Sequence, residues 1–478
     1  MTISSIGVGS GLDLSTLLTQ LQTAESQPLV DLQSRQTSYT TKLSAYGQLQ
    51  SSLNTLQAAA DKLSAPSLFQ GVKASSSASD VLSATTDTTA VAGSYAINVT
   101  QMAQSQALVA TGQASAKTVI GHGTISFDFG TITGGSFDAA TGKYTGAGFT
   151  PDTTRTAAPI TIDASNDTLE GIRDAINKAK IGVTASIVND GSGTPNRLVL
   201  TSTQTGQASS MKISVTGDTT LQNLLGNDPA GAQSMQQTLK GQDAQLTVNG
   251  IAITSASNTV KEAIQGTTLN VAKIGSSNVN LSTDTASVAS AVNDFVKAFN
   301  GLQGMAATLT AYNADTKQAA PLLGDATLRN LQTRIRQTLT TPQDGGPNDM
   351  KVLSEIGVSF QKDGTLAVDS DKLNAALANN LEGVSHLFAS ADGSTAGYGK
   401  QLSALVTNVT SSGGALKTAT DGINTTLKQL DDQYTAMSAR VDDTVARYRA
   451  QFNQLDVLMS SMNNTMTYLT QQFAAMNK

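Results

Sequence analysis

The sequence predicts an α+β multidomain protein. Long terminal α-helices form a coiled-coil-like stalk and leg, and a mainly β head of two subdomains is inserted between them. Three observations carry this. Near the C-terminus, apolar residues recur at alternating steps of four and three over more than six repeats. The same kind of spacing appears from Leu29 to Leu63. Between the two, the composition switches at Pro66–Ser77 to short alternating runs and switches back near Asp284.

The C-terminal stripe runs through Ile423, Leu427, Leu430, Tyr434, Met437 and Val441, then Val445. It resumes at Tyr448, Phe452, Leu455, Met459, Met462, Met466, Leu469, Phe473 and Met476. The four-four-three steps from Met437 to Tyr448 are a stutter, which locally unwinds a left-handed supercoil. No proline interrupts the segment. As one helix it spans about 80 Å at about 1.5 Å per residue. Such a stripe has to be buried against a partner. The partner in the sequence is the N-terminal stripe: Leu29, Leu32, Tyr39, Leu43, Tyr46, Leu49, Leu53, Leu56, Ala60 and Leu63. The assembly seam is therefore expected at Leu32, Tyr39, Leu43, Tyr46, Leu53, Leu427, Leu430, Tyr434, Met437, Val441, Tyr448, Phe452, Leu455, Met459, Met462, Met466, Leu469 and Phe473. The methionines on it read first as plain coiled-coil core, with an adaptable surface as the sharper alternative.

Taken in order, residues 1–29 are expected as a flexible N-terminal leg segment. Met1–Gly11 is small and glycine-rich, Leu14, Leu17, Leu18 and Leu21 form a short amphipathic piece, and Pro28 ends it. Residues 30–70 and 284–476 make the helical stalk and leg. Residues 71–110 and 238–283 make an inner β-rich subdomain, with a period-two strand at Tyr95–Thr100 and an Asn249-Gly250 hairpin turn between Leu246 and Ile253. Thr259–Ile264 reads as a short helix. Residues 111–237 make an outer α+β subdomain. In it Asp167 caps a helix in a capping-box arrangement with Glu170, and Leu169, Ile172 and Ile176 share a face. Strands are expected at Val183–Val188, Arg197–Thr201 and Met211–Val215.

Composition narrows the function. Charged residues are 14% of the 478, below the roughly 25% of ordinary soluble domains. The net charge of −6 argues against nucleic acid as a partner. Cysteine is absent, which removes disulfides and thiolate chemistry. No apolar run is long enough for membrane insertion. Met1–Gln27 lacks the basic and apolar regions of a secretory signal, so a leaderless export route is expected. No catalytic constellation is present, and no cofactor or metal is expected. His122 reads as an exposed loop residue and His386 as a packing or surface residue. Asp369 and Asp371 lack the glycine and terminal glutamate of a calcium loop, so a helix cap is the better reading. Asp431-Asp432 and Asp442-Asp443 read as solvated helix faces.

The residues also match a family. Ile6–Asp13 with Leu17-Leu18 and Ala24–Leu29 resembles the N-terminal signature of the bacterial flagellar filament cap protein, or hook-associated protein 2, family. Gly93–Val99 with Gln101–Gln104 is similar to its first head strand. Asp167–Ile187 resembles the motif shared by flagellin and hook-associated proteins, and Val248–Gly250, Asn258–Gly266 and Leu353–Leu366 fit as well. The resemblance implies a structural cap at the distal end of the flagellar filament, not an enzyme. It implies a ring-shaped homo-oligomer, a pentamer, that promotes folding and insertion of exported flagellin and prevents its leakage. It further implies a secreted protein exported by the flagellar type III route without a cleaved signal. Hook–filament junction proteins, and an export chaperone at the C-terminal helix, join the implied partners. The alternatives are a filament or junction subunit, and a β-headed surface adhesin.

Overall fold

The computed structural model describes residues 13–343, 350–390 and 396–476. The chain divides into a helical unit, residues up to Phe69 together with those from Thr285 on, and a β-rich unit, Gln70–Asp284.

The helical unit begins with an entry helix, Leu14–Glu25. Asp13 caps it, its carboxylate accepting from the Thr16 N–H at 3.0 Å. Expected as part of a flexible N-terminal leg segment, Leu14–Glu25 is helical, with Leu14 and Leu18 buried, and residues 1–12 of that segment lie outside the described residues. The break falls at Ser26, and the stalk helix runs from Gln27 to Ser64. Pro28 sits in its first turn, where a missing N–H costs no intrahelical bond. Proline therefore starts the second helix rather than ending the first.

Leu49, Leu53, Leu56, Ala60 and Leu63 are fully buried on one face of the stalk helix. They share a core with the return helix, Thr285–Thr310, through Val292, Phe295, Phe299 and Leu302. Helices Ala326–Thr340, Ser370–Asn379, Leu381–Ala389 and Tyr398–Thr410 close this core. Phe295 meets Phe388 edge-on at 6.2 Å between ring centroids. Asp369 caps Ser370–Asn379. The last element is a 62-residue terminal helix, Ala415–Met476.

The β-rich unit has two cores. The first lies under a five-stranded antiparallel sheet in the order Val72–Ser76, Gly275–Thr283, Gly93–Gln101, Ala244–Val248, Ile251–Ser255. A three-stranded sheet of Thr259–Ile264, Thr267–Val271 and Leu82–Thr86 shares that core. Thr259–Ile264 is thus a strand, not a helix. Its buried residues Val260 and Ile264 are four apart because a bulge interrupts the register, with Glu262 at φ 62°. A bulge can therefore imitate helical spacing. The hairpin at Asn249-Gly250 has both φ angles positive, 48° and 84°, as a type I′ turn requires.

The second core is built from residues 107–239. A paired bridge between Gln104 and Gln242 marks where the chain enters and leaves it. One sheet follows the order Val183–Asn189, Asn196–Ser202, Ala107–Val109, Gln236–Leu239. Another follows Ser210–Gly217, Gly123–Thr133, Gly148–Thr156. Helix Leu169–Ala179 buries Leu169, Ile172 and Ile176 as the pattern predicts. Its cap is Thr168 rather than Asp167, with Thr168 Oγ1 accepting from the Gly171 N–H at 3.1 Å. That puts Gly171, not Glu170, at the third helical position, so no capping box forms. Asp167 pairs instead with His122 Nε2 at 3.1 Å.

Asparagine side chains repeatedly bind a remote backbone. Asn177 donates to the Ala185 carbonyl and accepts from its N–H. Asn258 does the same with Ala103, and Asn300 with Leu366. Each side chain thereby satisfies both polar groups of a residue on another segment. Deeper still, Gln106 is buried, donating to Gln237 Oε1 and accepting from the Met211 N–H. Among the described residues no buried side-chain nitrogen or oxygen lacks a partner.

The terminal-helix seam as a candidate assembly surface

The terminal helix is covered along its first part only. Leu416 and Ile423 belong to the main helical core, and Leu427 packs against it. From the stalk helix, Tyr46 and Leu53 lie in that core, and Tyr39 and Leu43 pack on its edge. Leu430 is buried, and Tyr434 is half-buried. Next, the two helices part. Leu32 and Met437 line a groove of about 470 Å³, bordered by Asp31, Arg35 and Arg440. Leu32 is at the buried limit, and Met437 is half-buried.

The entry helix then joins as a third partner. Leu18, Val441 and Val445 form a small buried cluster, with Leu29, Tyr448 and Phe452 against it. The Tyr448 hydroxyl donates to Glu25 Oε1 at 3.3 Å. The stutter in the pattern falls here. Its two successive steps of four put Val441 and Val445 together under Leu18.

The stalk helix is anchored laterally by a polar contact. Asp325 caps helix Ala326–Thr340 through the Leu328 N–H. Its other oxygen accepts from the Tyr46 hydroxyl at 2.7 Å and pairs with Lys42 at 3.2 Å. Burial disfavours charge on Asp325. The hydrogen bonds from Tyr46, the Leu328 N–H and Lys42 outweigh that and hold the carboxyl below its ordinary value. Burial, then the adjoining carboxylate, pushes the Tyr46 hydroxyl up to about 12.

Beyond Phe452 the cover ends. Met459 is half-buried, but Leu455, Met462, Met466, Leu469 and Phe473 are exposed. Met466 and Phe473 expose 65% and 63% of their surface. The expected seam is thus brought together from Ile423 to Phe452. Past that point most of the stripe is exposed. Sequence reasoning left Leu14 and Leu18 out of the seam, although their spacing by four placed them on one face. Beyond Asp456 the uncovered stretch is also free of charge, since no ionisable side chain lies between Asp456 and Met476 apart from the Tyr468 phenol.

Other candidate chemistry is sparse. Among the described residues no group of three or more His, Asp or Glu is placed to hold a metal. His122 is about half exposed and engaged with Asp167. No described helix is long and apolar enough to cross a membrane.

A chain with this order of elements and this seam matches known proteins along its whole length. The family model for the flagellar hook-associated protein 2 N-terminus matches residues 10–106. The model for the C-terminus of the same family matches 241–464. The flagellin hook IN motif matches 143–204. A flagellar hook-associated protein 2 of Escherichia coli K12 is 41% identical over 99% of this chain and 98% of its own length. One from Salmonella typhimurium LT2 is 37% identical over 100% and 99%.

The chain belongs to the flagellar hook-associated protein 2 family.

The fold agrees. The crystal structure of the flagellar cap protein FliD D1-D2-D3 domains from Escherichia coli aligns with a TM-score of 0.63 at 37% identity. The alignment covers 80% of this chain and 99% of that one. The protein is therefore a flagellar cap protein of the filament tip. Its role is structural rather than catalytic.

Proposed function

We propose that the protein works as a ring-shaped homo-oligomer, a pentamer, that promotes folding and insertion of exported flagellin and stops flagellin leaking away. In this reading the chain reaches the tip by the flagellar type III route, without a cleaved signal. The helical unit supplies leg and stalk, with residues 1–29 as a flexible N-terminal leg segment. Residues 71–110 and 238–283 form an inner subdomain, and 111–237 an outer one inserted into it. Junction proteins, and an export chaperone at the terminal helix, complete the partner set.

The observation that supports this best is the uncovered end of the terminal helix. An apolar stripe of this length, left open in one chain, calls for another chain. The absence of charge on its flanks suits identical helices side by side, since like charges at flanking positions repel and opposite ones choose a different partner.

Met462→Asp tests the proposal against Gln454→Asp, which lies off the stripe. A carboxylate desolvated in an apolar contact is costly. Met462→Asp should fold and be exported but fail to assemble, leaving flagellin monomer in the medium. The control should assemble. Equal assembly and equal capping by both variants would refute the assignment of this stripe to assembly.

A further inference from the structure

Two Asn-Gly pairs occur in the sequence, Asn249-Gly250 and Asn300-Gly301. Glycine leaves its own backbone nitrogen unhindered, so this dipeptide is the one most prone to spontaneous deamidation. The Gly nitrogen, having lost its proton, attacks the Asn Cγ. The N–Cγ bond forms, the Cγ–Nδ2 bond breaks, and ammonia leaves. Water then opens the resulting succinimide to aspartate or isoaspartate.

The fold opposes this reaction at both pairs, by different means. Asn300 lies within the return helix, which occupies the Gly301 N–H in helical bonding. Its side chain is held at both ends: Nδ2 donates to the Leu366 carbonyl at 2.8 Å and Oδ1 accepts from the Leu366 N–H at 2.7 Å. Presenting Cγ to Gly301 requires breaking both bonds. Asn249 sits in the tight turn at φ 48°. Its Oδ1 accepts from the Ala96 N–H, and its own N–H donates to the Ala96 carbonyl, both at 2.8 Å.

The consequences of the reaction differ. At Asn249 only the oxygen of the side chain bridges to Ala96, and an aspartate keeps that acceptor. At Asn300 the bridge needs a donor as well. An aspartate there sets a carboxylate oxygen against the Leu366 carbonyl. It loses the link between the return helix and strand Leu366–Val368. The geometry points to Asn300 as a deamidation site that folding protects and whose modification the helical unit does not tolerate. Gly301 is not there for want of space, because nothing lies within 4 Å of where its Cβ would stand. Its retained lability is open to direct test.

The full-length protein is incubated in mildly alkaline buffer, folded or in guanidinium chloride, and both sites are followed by peptide mass spectrometry. Deamidation at Asn300 should be slower by at least about tenfold in the folded chain, because it has to wait for local opening. In the denatured chain, Gly301→Ala should slow the reaction at residue 300 and leave that at 249 unchanged. Asn300→Asp should melt well below the wild type or fail to fold, while Asn249→Asp melts close to it. Equal rates at Asn300 in folded and denatured chains would overturn the inference. So would a Gly301→Ala chain that deamidates at the wild-type rate, or an Asn300→Asp protein that melts like the wild type.

Discussion

The two halves of the terminal helix carry the same heptad-like stripe and have opposite environments. From Leu416 to Phe452 the stripe lies against the stalk and entry helices. From Leu455 to Met476 the same spacing faces solvent at every position but the half-buried Met459. What distinguishes them in sequence is the flanking charge. The covered half carries Lys428, Asp431, Asp432, Arg440, Asp442, Asp443, Arg447 and Arg449 beside the stripe, and the uncovered half carries Asp456 alone, at its start. A helix whose partner lies in its own chain can keep a solvated, charged outer face. A helix waiting for other chains must present faces that tolerate close approach. Periodicity says that a partner is needed; the charge pattern says what kind.

The largest expected effect comes from matched truncations across this divide. Leu430→Ala removes a side chain with 1% exposure and should cost about 2–5 kcal/mol of helical-unit stability. Leu469→Ala, on the uncovered half, should change monomer stability by no more than about 0.5 kcal/mol. Denaturant unfolding of both variants compares them directly. Similar losses would erase the distinction between the halves.

Next is the point where cover ends. Leu18→Ala should loosen Val441 and Val445 at a cost of about 2–3 kcal/mol. Amide exchange should then accelerate from Val441 to Phe452 and stay slow around Ile423. In the wild type, amides beyond Leu455 should exchange fast, since the described residues leave most side chains of that stretch exposed. Slow exchange there in the monomer would mean that the stripe has found cover.

The polar anchor of the covered half should show a smaller, pH-dependent effect. The Asp325 carboxyl lies below its ordinary value in the folded chain, so its contribution is present above the unfolded value, near 3.8. It is lost as the pH falls through the lower folded value. Asp325→Asn should cost about 1–3 kcal/mol at neutral pH and flatten the acid limb of the stability profile. Tyr46 has the opposite sign: raised to about 12, it favours the fold below the unfolded value near 10 and stops doing so as the pH rises through 12. A variant whose acid limb matches the wild type would show that the Tyr46–Asp325–Lys42 contact contributes nothing.

The smallest effect is expected at Tyr448→Phe. This removes a 3.3 Å hydrogen bond to Glu25 and keeps the ring, for about 0.5 kcal/mol. A loss as large as that of Leu18→Ala would make the polar contact, rather than apolar burial, the hold on the entry helix.

Much of this was legible in the residues. Long periodic runs found the terminal helices, and period two with Asn-Gly found the central hairpin. The errors share a cause: a local pattern had two physical solutions. Val260 and Ile264 are spaced as on a helix, and a bulge produced that spacing in a strand. Asp167 and Thr168 are both good caps, and His122, distant in sequence, engaged Asp167. Asn177, Asn258 and Asn300 look like ordinary polar residues until the backbone segment they bind is folded beside them.

The sequence by itself determined that both ends are helical, that a strand-rich region lies between them, and that catalytic groups are missing from the pattern. These follow from spacing and residue type, which act over a few neighbours. The residue at which the terminal helix loses its cover was decided by tertiary structure. The stripe continues unchanged past Phe452, and only the length and position of the entry and stalk helices set the point at which burial stops. Burial depends on which distant segments arrive, and no local periodicity encodes that.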